Sequence, residues 1–295
     1  MSKIKYLLRS ISYIFQSKKC PYCGTIDFTI IQRKYFVTSL LQCSNCRLLY
    51  RHPKDSKDFL DNFYQSEYKI DVQMMTSMPG DEEIEKLKRN NFDELIDFCP
   101  IIKALPGINE IKKPKLLDYG CSWGYHVYKF KNGRMNACGY ELSKPRASFG
   151  NEKLGVEIYT NKNVIPSGFD ILFNSHTIEH LPDISDFISF SKRIIGERGY
   201  LVTLCPNGST EFKNRKPDLF KVTWGELHPN YLTIEFASHI FKNNPYLIMT
   251  SDDTYDIDFI KEWNGQTQCV HKNKSGFELL IITRPNIVIN TDISM

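Results

Sequence analysis

Leu116-Leu117-Asp118-Tyr119-Gly120-Cys121-Ser122-Trp123-Gly124 is an apolar run that ends in a carboxylate and passes into a loop with glycines at 120 and 124. Lys115–Tyr119 reads as a strand and Gly124–Lys131 as the helix that follows. Gly120 permits a tight turn and close approach of the backbone to a ligand, and the amides after it are expected to point at that ligand. Many strand–helix turns share a two-glycine loop, so the flanking pattern decides its meaning. Met135–Glu141 reads as a second strand and Lys144–Lys153 as a helix. Phe169–Asn174 is a third strand, followed by a helix at Ile184–Ile195 and a fourth strand at Tyr200–Cys205. Ile234–Asn243 is helical, and Tyr246–Thr250 and Phe277–Thr283 are late strands. Strands alternating with helices predict an α/β fold with a doubly wound, mostly parallel sheet. Ligands of such sheets bind beyond the C-terminal strand ends.

The chemically informative residues fall at those ends. In Gly139-Tyr140-Glu141-Leu142-Ser143 an acid closes the second strand about 20 residues after the loop, the separation at which a carboxylate accepts both hydroxyls of a bound ribose. The alternative is a surface-turn acid, with Ser143 capping the next helix. In Phe169–Leu181 a strand runs into a polar turn containing His176, Glu179 and His180.

Nearer the N-terminus, Cys20-Pro-Tyr-Cys23 is followed after 19 residues by Cys43-Ser-Asn-Cys46. Two such pairs have the spacing of a zinc site. Each pair turns two sulfurs to one point, and four thiolates close a tetrahedral shell with no open position, so the site is structural. Strand-like Asp27–Gln32 and Tyr35–Gln42 lie between the pairs, which predicts a small zinc ribbon. Cys99, Cys121, Cys138, Cys205 and Cys269 are isolated in apolar segments and read as packing residues.

Taken together, these motifs resemble the class I S-adenosylmethionine-dependent methyltransferases over roughly residues 85–285. Asp118, Gly120 and Gly124 match the first motif, with Ser122 at its usual middle glycine. Glu141 matches the ribose acid, Phe169–Leu181 the stretch that lies against cofactor and substrate, and Gly199–Pro206 the strand after it. The resemblance implies a Rossmann-like seven-stranded sheet. It also implies S-adenosylmethionine held by Asp118, Gly120, Cys121, Gly124, Glu141, Leu142, Asn174 and Ser175. With the four cysteines, Cys20, Cys23, Cys43 and Cys46, as ligands of a structural zinc, the chain resembles the sugar C-methyltransferases and related surface-polysaccharide methyltransferases. Arg47–Pro53 looks like their exit strand. Their catalytic Glu-His pair and Tyr have a counterpart in Trp224-Gly225-Glu226-Leu227-His228-Pro229-Asn230-Tyr231, where His228 and Tyr231 fit the spacing and Glu226 is displaced by one residue. The implied catalytic set is His228, Tyr231 and Glu226, with His176 a further candidate base. A sugar hydroxyl, or a carbon beside a keto group, needs such a base to take its proton. His228 as a solvated loop residue and His180 as a structural one are the alternatives. The expected units are a basic amphipathic helix at 1–19, the ribbon at 20–53, a helical linker or cap at 54–113 and the methyltransferase core at 114–295.

Composition bounds the rest. The chain has 295 residues, 41% hydrophobic and 24% charged, which excludes a disordered chain, a collagen and a coiled-coil rod. No apolar run reaches the roughly 18 residues of a membrane-spanning helix. The net charge of +4 is uneven: residues 1–52 carry nine Lys/Arg against one acid, Asp27, which suggests a surface that meets anions. Ile4, Leu7, Leu8, Ile11, Ile14 and Phe15 share one helical face, which is expected either to dock on the protein or to lie in a membrane interface. Arg9 interrupts the apolar stretch and no small-residue cleavage site follows, so no secretory signal is read. The nine cysteines read as reduced thiols in the cytoplasm, with membrane contact through residues 1–19 the peripheral alternative. Three functions compete: methyl transfer to a small-molecule or glycan acceptor, methylation of RNA or protein with the basic ribbon as reader, and a cofactor-dead scaffold in which Ser122 disables the loop.

Overall fold

The computed structural model describes residues 3–63, 65, 77–226 and 228–289. Residues 1–2 of the N-terminal helix, 64 and 66–76 of the linker, Leu227 and 290–295 lie outside the described residues. The chain opens with α1 (Lys3–Ser12), β1 (Phe28–Lys34), β2 (Thr38–Cys43) and β3 (Leu49–His52), then α2 (Lys57–Asn62), α3 (Asp81–Arg89) and α4 (Cys99–Ala104). The alternating part follows: β4 (Lys115–Tyr119), α5 (Tyr125–Asn132), β5 (Asn136–Tyr140), α6 (Lys144–Phe149), β6 (Ile158–Tyr159), β7 (Phe169–Ser175), α7 (Ile184–Ile194) and β8 (Ile195–Pro206). After α8 (Thr210–Arg215) and α9 (Pro217–Thr223) come β9 (Asn230–Tyr231), α10 (Ile234–Ile240), β10 (Tyr246–Ser251), α11 (Ile257–Glu262), β11 (Gln268–Val270) and β12 (Glu278–Thr283).

The large sheet runs β11-β10-β12-β8-β7-β4-β5-β6. Neighbours from β6 to β8 are parallel, and β12 is antiparallel to both β8 and β10. Its strands are apolar without alternation because both faces are covered. Leu116, Ile171, Phe173, Val202 and Ile282 belong to one buried cluster, and Leu117, Leu172, Leu201 and Ile281 to another. Successive side chains of a strand point to opposite faces, so these neighbours fill two cores. The expected fold is the observed one, with eight strands among the described residues in place of seven. The extra strand is β11, which pairs parallel at the free edge of β10. Three residues, Gln-Cys-Val, carry no periodicity that sequence reading could use.

The N-terminal sheet runs β1-β2-β3-β9, all antiparallel. Its fourth strand comes from the core: Leu49 pairs with Tyr231 and Tyr50 with Asn230. The expected 20–53 unit is therefore joined to the core, and Cys20, Cys43, Cys46, Leu48 and Tyr50 pack into the same cluster as Leu117 and Leu172. Arg51, 1% exposed, reinforces the seam. Its amide donates to the Pro229 carbonyl at 2.7 Å, its guanidinium to the carbonyls of Gly225 and Glu226, and it pairs with Asp55 at 2.6 Å.

The N-terminal helix corrects one expectation. It docks through Tyr6, Arg9 and Ser10, while Ile4, Leu8 and Phe15 are 70%, 63% and 99% exposed. The reason is electrostatic: Arg9 reaches Asp55 at 2.6 Å and Glu226 at 2.9 Å, with Phe59 against its guanidinium. Turning the apolar stripe inward instead would leave Asp55 and Glu226 without this partner. Among the described residues no helix is long and apolar enough to cross a membrane.

Candidate active site and metal centre

The C-terminal ends of β4, β5 and β7 meet at the glycine loop. Gly120 has φ +81° and faces Thr177, whose Oγ1 would lie 2.2 Å from a Cβ built there. Only glycine fits. The amides of Gly120 and Cys121 both donate to the Tyr140 carbonyl, at 2.8 and 3.1 Å, and that of Ser122 donates to Glu141 Oε2 at 2.9 Å. These amides do not face a ligand, as the glycine pattern suggests; they bind the loop to β5. Ser122 holds φ +53°, a left-handed conformation that costs a side-chain-bearing residue roughly 1–2 kcal/mol. Hydrogen bonds on both sides hold it there: its amide to Glu141, and its Oγ accepting from Arg146 Nη1 at 2.6 Å. The loop keeps its path without the middle glycine.

Glu141 is buried and accepts from the amides of Ser122 and Ser143, the latter at 2.7 Å. Burial pushes its carboxyl up, against the pull of those amides. Each oxygen keeps a second lone pair for a further donor. Asp118 is also buried, and its Oδ2 has no partner. Burial first, and then the Glu141 charge, push its carboxyl well above the usual range. Leu142, half-exposed, lies beside Glu141, and its carbonyl accepts from Gln65 at 2.8 Å. Gly124, with φ +85°, opens α5. Cys121 is buried with its sulfur against Gly139, so only its backbone borders the loop. Asn174 is fully buried, its amide donating to Thr203 at 2.8 Å while its Oδ1 has no partner. Ser175, at the strand end, accepts through its carbonyl from Thr177. An unpartnered buried carboxylate beside a second acid fits a ligand that carries both a positive charge and a diol.

The four-cysteine cluster has the geometry its spacing predicts. Cys20 and Cys46 sulfurs lie 3.6 Å apart and those of Cys23 and Cys43 3.4 Å apart, with all four within 4.8 Å. Sulfurs bound tetrahedrally at about 2.3 Å sit about 3.8 Å apart, so the cluster is compatible with zinc. All four are free thiols.

A third cluster gathers the histidines. His176 follows β7 directly, with its Nε2 3.0 Å from Glu278 and its Nδ1 3.4 Å from Glu179. Burial would lower its pKa, but Glu179 and Glu278 overcome this and push it up to about 10. This favours its protonated form in the ligand-free chain. His228 lies against His180, ring centroids 4.8 Å apart. Its Nδ1 is 2.6 Å from the Thr223 carbonyl. A carbonyl only accepts, so Nδ1 carries the proton and Nε2 the lone pair. The other two expected catalytic residues have different surroundings. Tyr231 is fully buried against Phe220 in a small core with Leu40, Leu49 and Trp224. Glu226 is held by Arg9. Thr177, Arg146 and Glu278 are site residues that sequence reading missed. Only pairing of β12 with Pro206, at the end of β8, brings Glu278 here.

No family model and no curated protein matches the chain. Solved structures match it in fold. Magnesium protoporphyrin IX methyltransferase from Synechocystis PCC 6803, with bound SAH, aligns over 80% of this chain and 100% of its own at 11% identity and a TM-score of 0.50. A SAM-dependent methyltransferase from Archaeoglobus fulgidus aligns over 77% and 99% at 14% identity, with a TM-score of 0.43. The plantazolicin methyltransferase BpumL in complex with SAH aligns over 69% and 91% at 12% identity, also with 0.43. The first of these establishes the Rossmann-like methyltransferase fold for this chain.

Gly120→Ala should cost about 2–5 kcal/mol in thermal or denaturant unfolding, the sum of a left-handed side chain and overpacking. Adding Thr177→Gly should return the steric share and leave about 1–2 kcal/mol. Equal stability of the single and the double variant would show that Thr177 does not press on the loop.

Proposed function

We propose that the chain is an S-adenosylmethionine-dependent methyltransferase acting on a small-molecule acceptor, with a sugar or glycan as the acceptor class. The observation that carries this reading is the pair of buried acids at adjacent strand ends. Asp118 offers an unpartnered oxygen to a cationic ligand, and Glu141 offers its remaining lone pairs to a ribose diol. When bound, the cofactor supplies a methyl group already activated on a sulfonium. The chain's own task is then to line up the acceptor and remove its proton. That proton goes to His228 Nε2 as the bond from acceptor oxygen or carbon to methyl forms and the sulfur–methyl bond breaks. Tyr231 and Glu226 support His228 through the strand and the loop that carry it.

Two observations weigh against the competing readings. Among the N-terminal cations, Arg9 and Arg51 are paired with acids and Lys34 donates to the Trp224 carbonyl. This removes them from a nucleic-acid-reading surface. Ser122 keeps the loop in its left-handed path, so its presence does not argue for a dead scaffold.

The four cysteines hold one structural zinc in this reading, and the metal fixes β3, and through it β9. The exposed stripe of Ile4, Leu8, Ile11 and Phe15, bordered by exposed Lys18, Lys19 and Arg33, meets an anionic lipid surface. These exposed cations, unlike the paired Arg9 and Arg51, match such headgroups.

Glu141→Ala should weaken S-adenosylmethionine binding by about 1.5–3 kcal/mol in calorimetry; no change would show that the ribose acid lies elsewhere. Wild-type protein with cofactor and a panel of nucleotide sugars should yield an acceptor heavier by about 14 daltons, one methylene. Metal analysis should find zinc that Cys20→Ser loses together with N-terminal structure, since binding free energy at such sites is folding free energy, on the order of 10 kcal/mol. On vesicles containing phosphatidylserine, Leu8→Asp with Phe15→Asp should lower binding by at least about 100-fold, from two apolar side chains at about 1.5–3 kcal/mol each. Equal binding by this variant would remove α1 from the interface.

A further inference from the structure

Among the described residues Glu179, like Asp118, is a buried acid with unpartnered oxygen. It lies in a single helical turn after β7, its side chain is 1% exposed, and neither carboxylate oxygen has a hydrogen-bond partner. A buried carboxylate without hydrogen-bond donors is costly, by several kcal/mol even after relaxation. His176, 3.4 Å away, supplies charge in part compensation. Two further imidazoles converge on the acid. His180 Nε2 is 4.0 Å from Glu179 Oε1, and His228 completes a set whose ligand atoms lie within 4.8 Å of one another.

The surroundings are those of a metal site. Histidines that bind metals donate their other ring N–H to a carbonyl or carboxylate, which fixes the tautomer and orients the ring. His228 does this with the Thr223 carbonyl at 2.6 Å, leaving Nε2 as the donor atom. Asn230 pins the acid's turn, donating to the Leu181 carbonyl at 2.6 Å and to that of Glu179 at 3.5 Å. Two nitrogens and one oxygen suit a divalent transition ion, with positions left open for other ligands. Ligand atoms around an ion at about 2.1 Å sit roughly 3–3.5 Å apart, so a small rotation of the partly exposed His180 ring closes the set.

We infer that Glu179, His180 and His228 form a second metal site, distinct from the four cysteines, that binds a divalent transition-metal ion. Binding of the ion does not depend on the methyl-transfer reading. Its use does: an ion with open positions can hold an acceptor hydroxyl and acidify it. The ion would take the Nε2 lone pair that otherwise receives the acceptor's proton, so with the ion bound that proton would pass to solvent water.

The test is cobalt added to the full-length protein as purified, followed by calorimetry and the visible spectrum. Wild type should take up one equivalent with d–d absorption and no thiolate charge-transfer band. Glu179→Gln, nearly isosteric, and His228→Ala should each weaken this binding on the order of 100-fold, at least the cost of losing an outer partner of a ligand. His271→Ala, a histidine near Asp256 on another surface, should leave it unchanged. Melting curves identify any variant that fails to fold, and Glu179→Gln decides alone if His228→Ala does. Uptake only with a thiolate band, no uptake, or uptake that survives Glu179→Gln would each overturn the inference. Because cofactor binding is measured separately through Glu141, failure of either leaves the other standing.

Discussion

The pairing of β3 with β9 is the constraint on which the rest of the site depends. It joins the strand leaving the cysteine knuckle to the strand that follows His228, in a ladder only two residue pairs long. Strand pairs so short do not hold by themselves. Arg51 supplies the remainder, tying the backbone at Gly225 and Glu226 and neutralising Asp55 from a fully buried position. Removal of its guanidinium would leave Asp55 with Arg9 as its remaining partner and take a donor from the carbonyls of Pro53, Gly225 and Glu226, at about 1–3 kcal/mol for each group left buried and unsatisfied. The knuckle and His228 are thus linked through the backbone, since β3 leaves the one and β9 follows the other, while the His228 ring itself is held by the Thr223 carbonyl.

Negative charge is handled in two ways at the C-terminal edge of the large sheet. Glu141 is stabilised by backbone amides from the loop it faces, which makes it part of the scaffold as well as an acceptor. Asp118 and Glu179, at the ends of the neighbouring strands β4 and β7, are buried with oxygens that lack donors. In the ligand-free chain Asp118 is driven towards its neutral form by burial, whereas Glu179 stays ionised because His176 faces it. Folds keep such acids at a cost in stability, and cations are what compensates them.

The helix α1 shows the same preference for charge over apolar contact. Its amphipathic pattern is genuine, but the face turned inward is the one bearing Arg9. A periodicity reports that a face is apolar; it does not report which surface covers it. The answer depended on Asp55 and Glu226, which come from two other parts of the chain.

Legibility followed the range of the interaction. The strand Lys115–Tyr119 has the bounds read from the sequence, and the cysteine pairs converge as their spacing requires, because both are set by residues within a few positions of one another. The acid at 141 was legible too, since one strand–helix–strand unit fixes its distance from the loop. The sequence could nominate His228, Tyr231 and Glu226 as a group, but it could not separate them. They fall on a loop and a two-residue strand whose course is set by β3 and Arg51, and this buries Tyr231 and pairs Glu226 with Arg9. Glu278 and Thr177 carried no local signal at all: one reaches His176 through an antiparallel strand, the other presses on Gly120 across the sheet end. Local periodicity and spacing thus determined the fold class, the cysteine cluster and the glycine loop. Which side chains share the site was decided only by strand pairing and buried charge, because both bring together residues far apart in the chain.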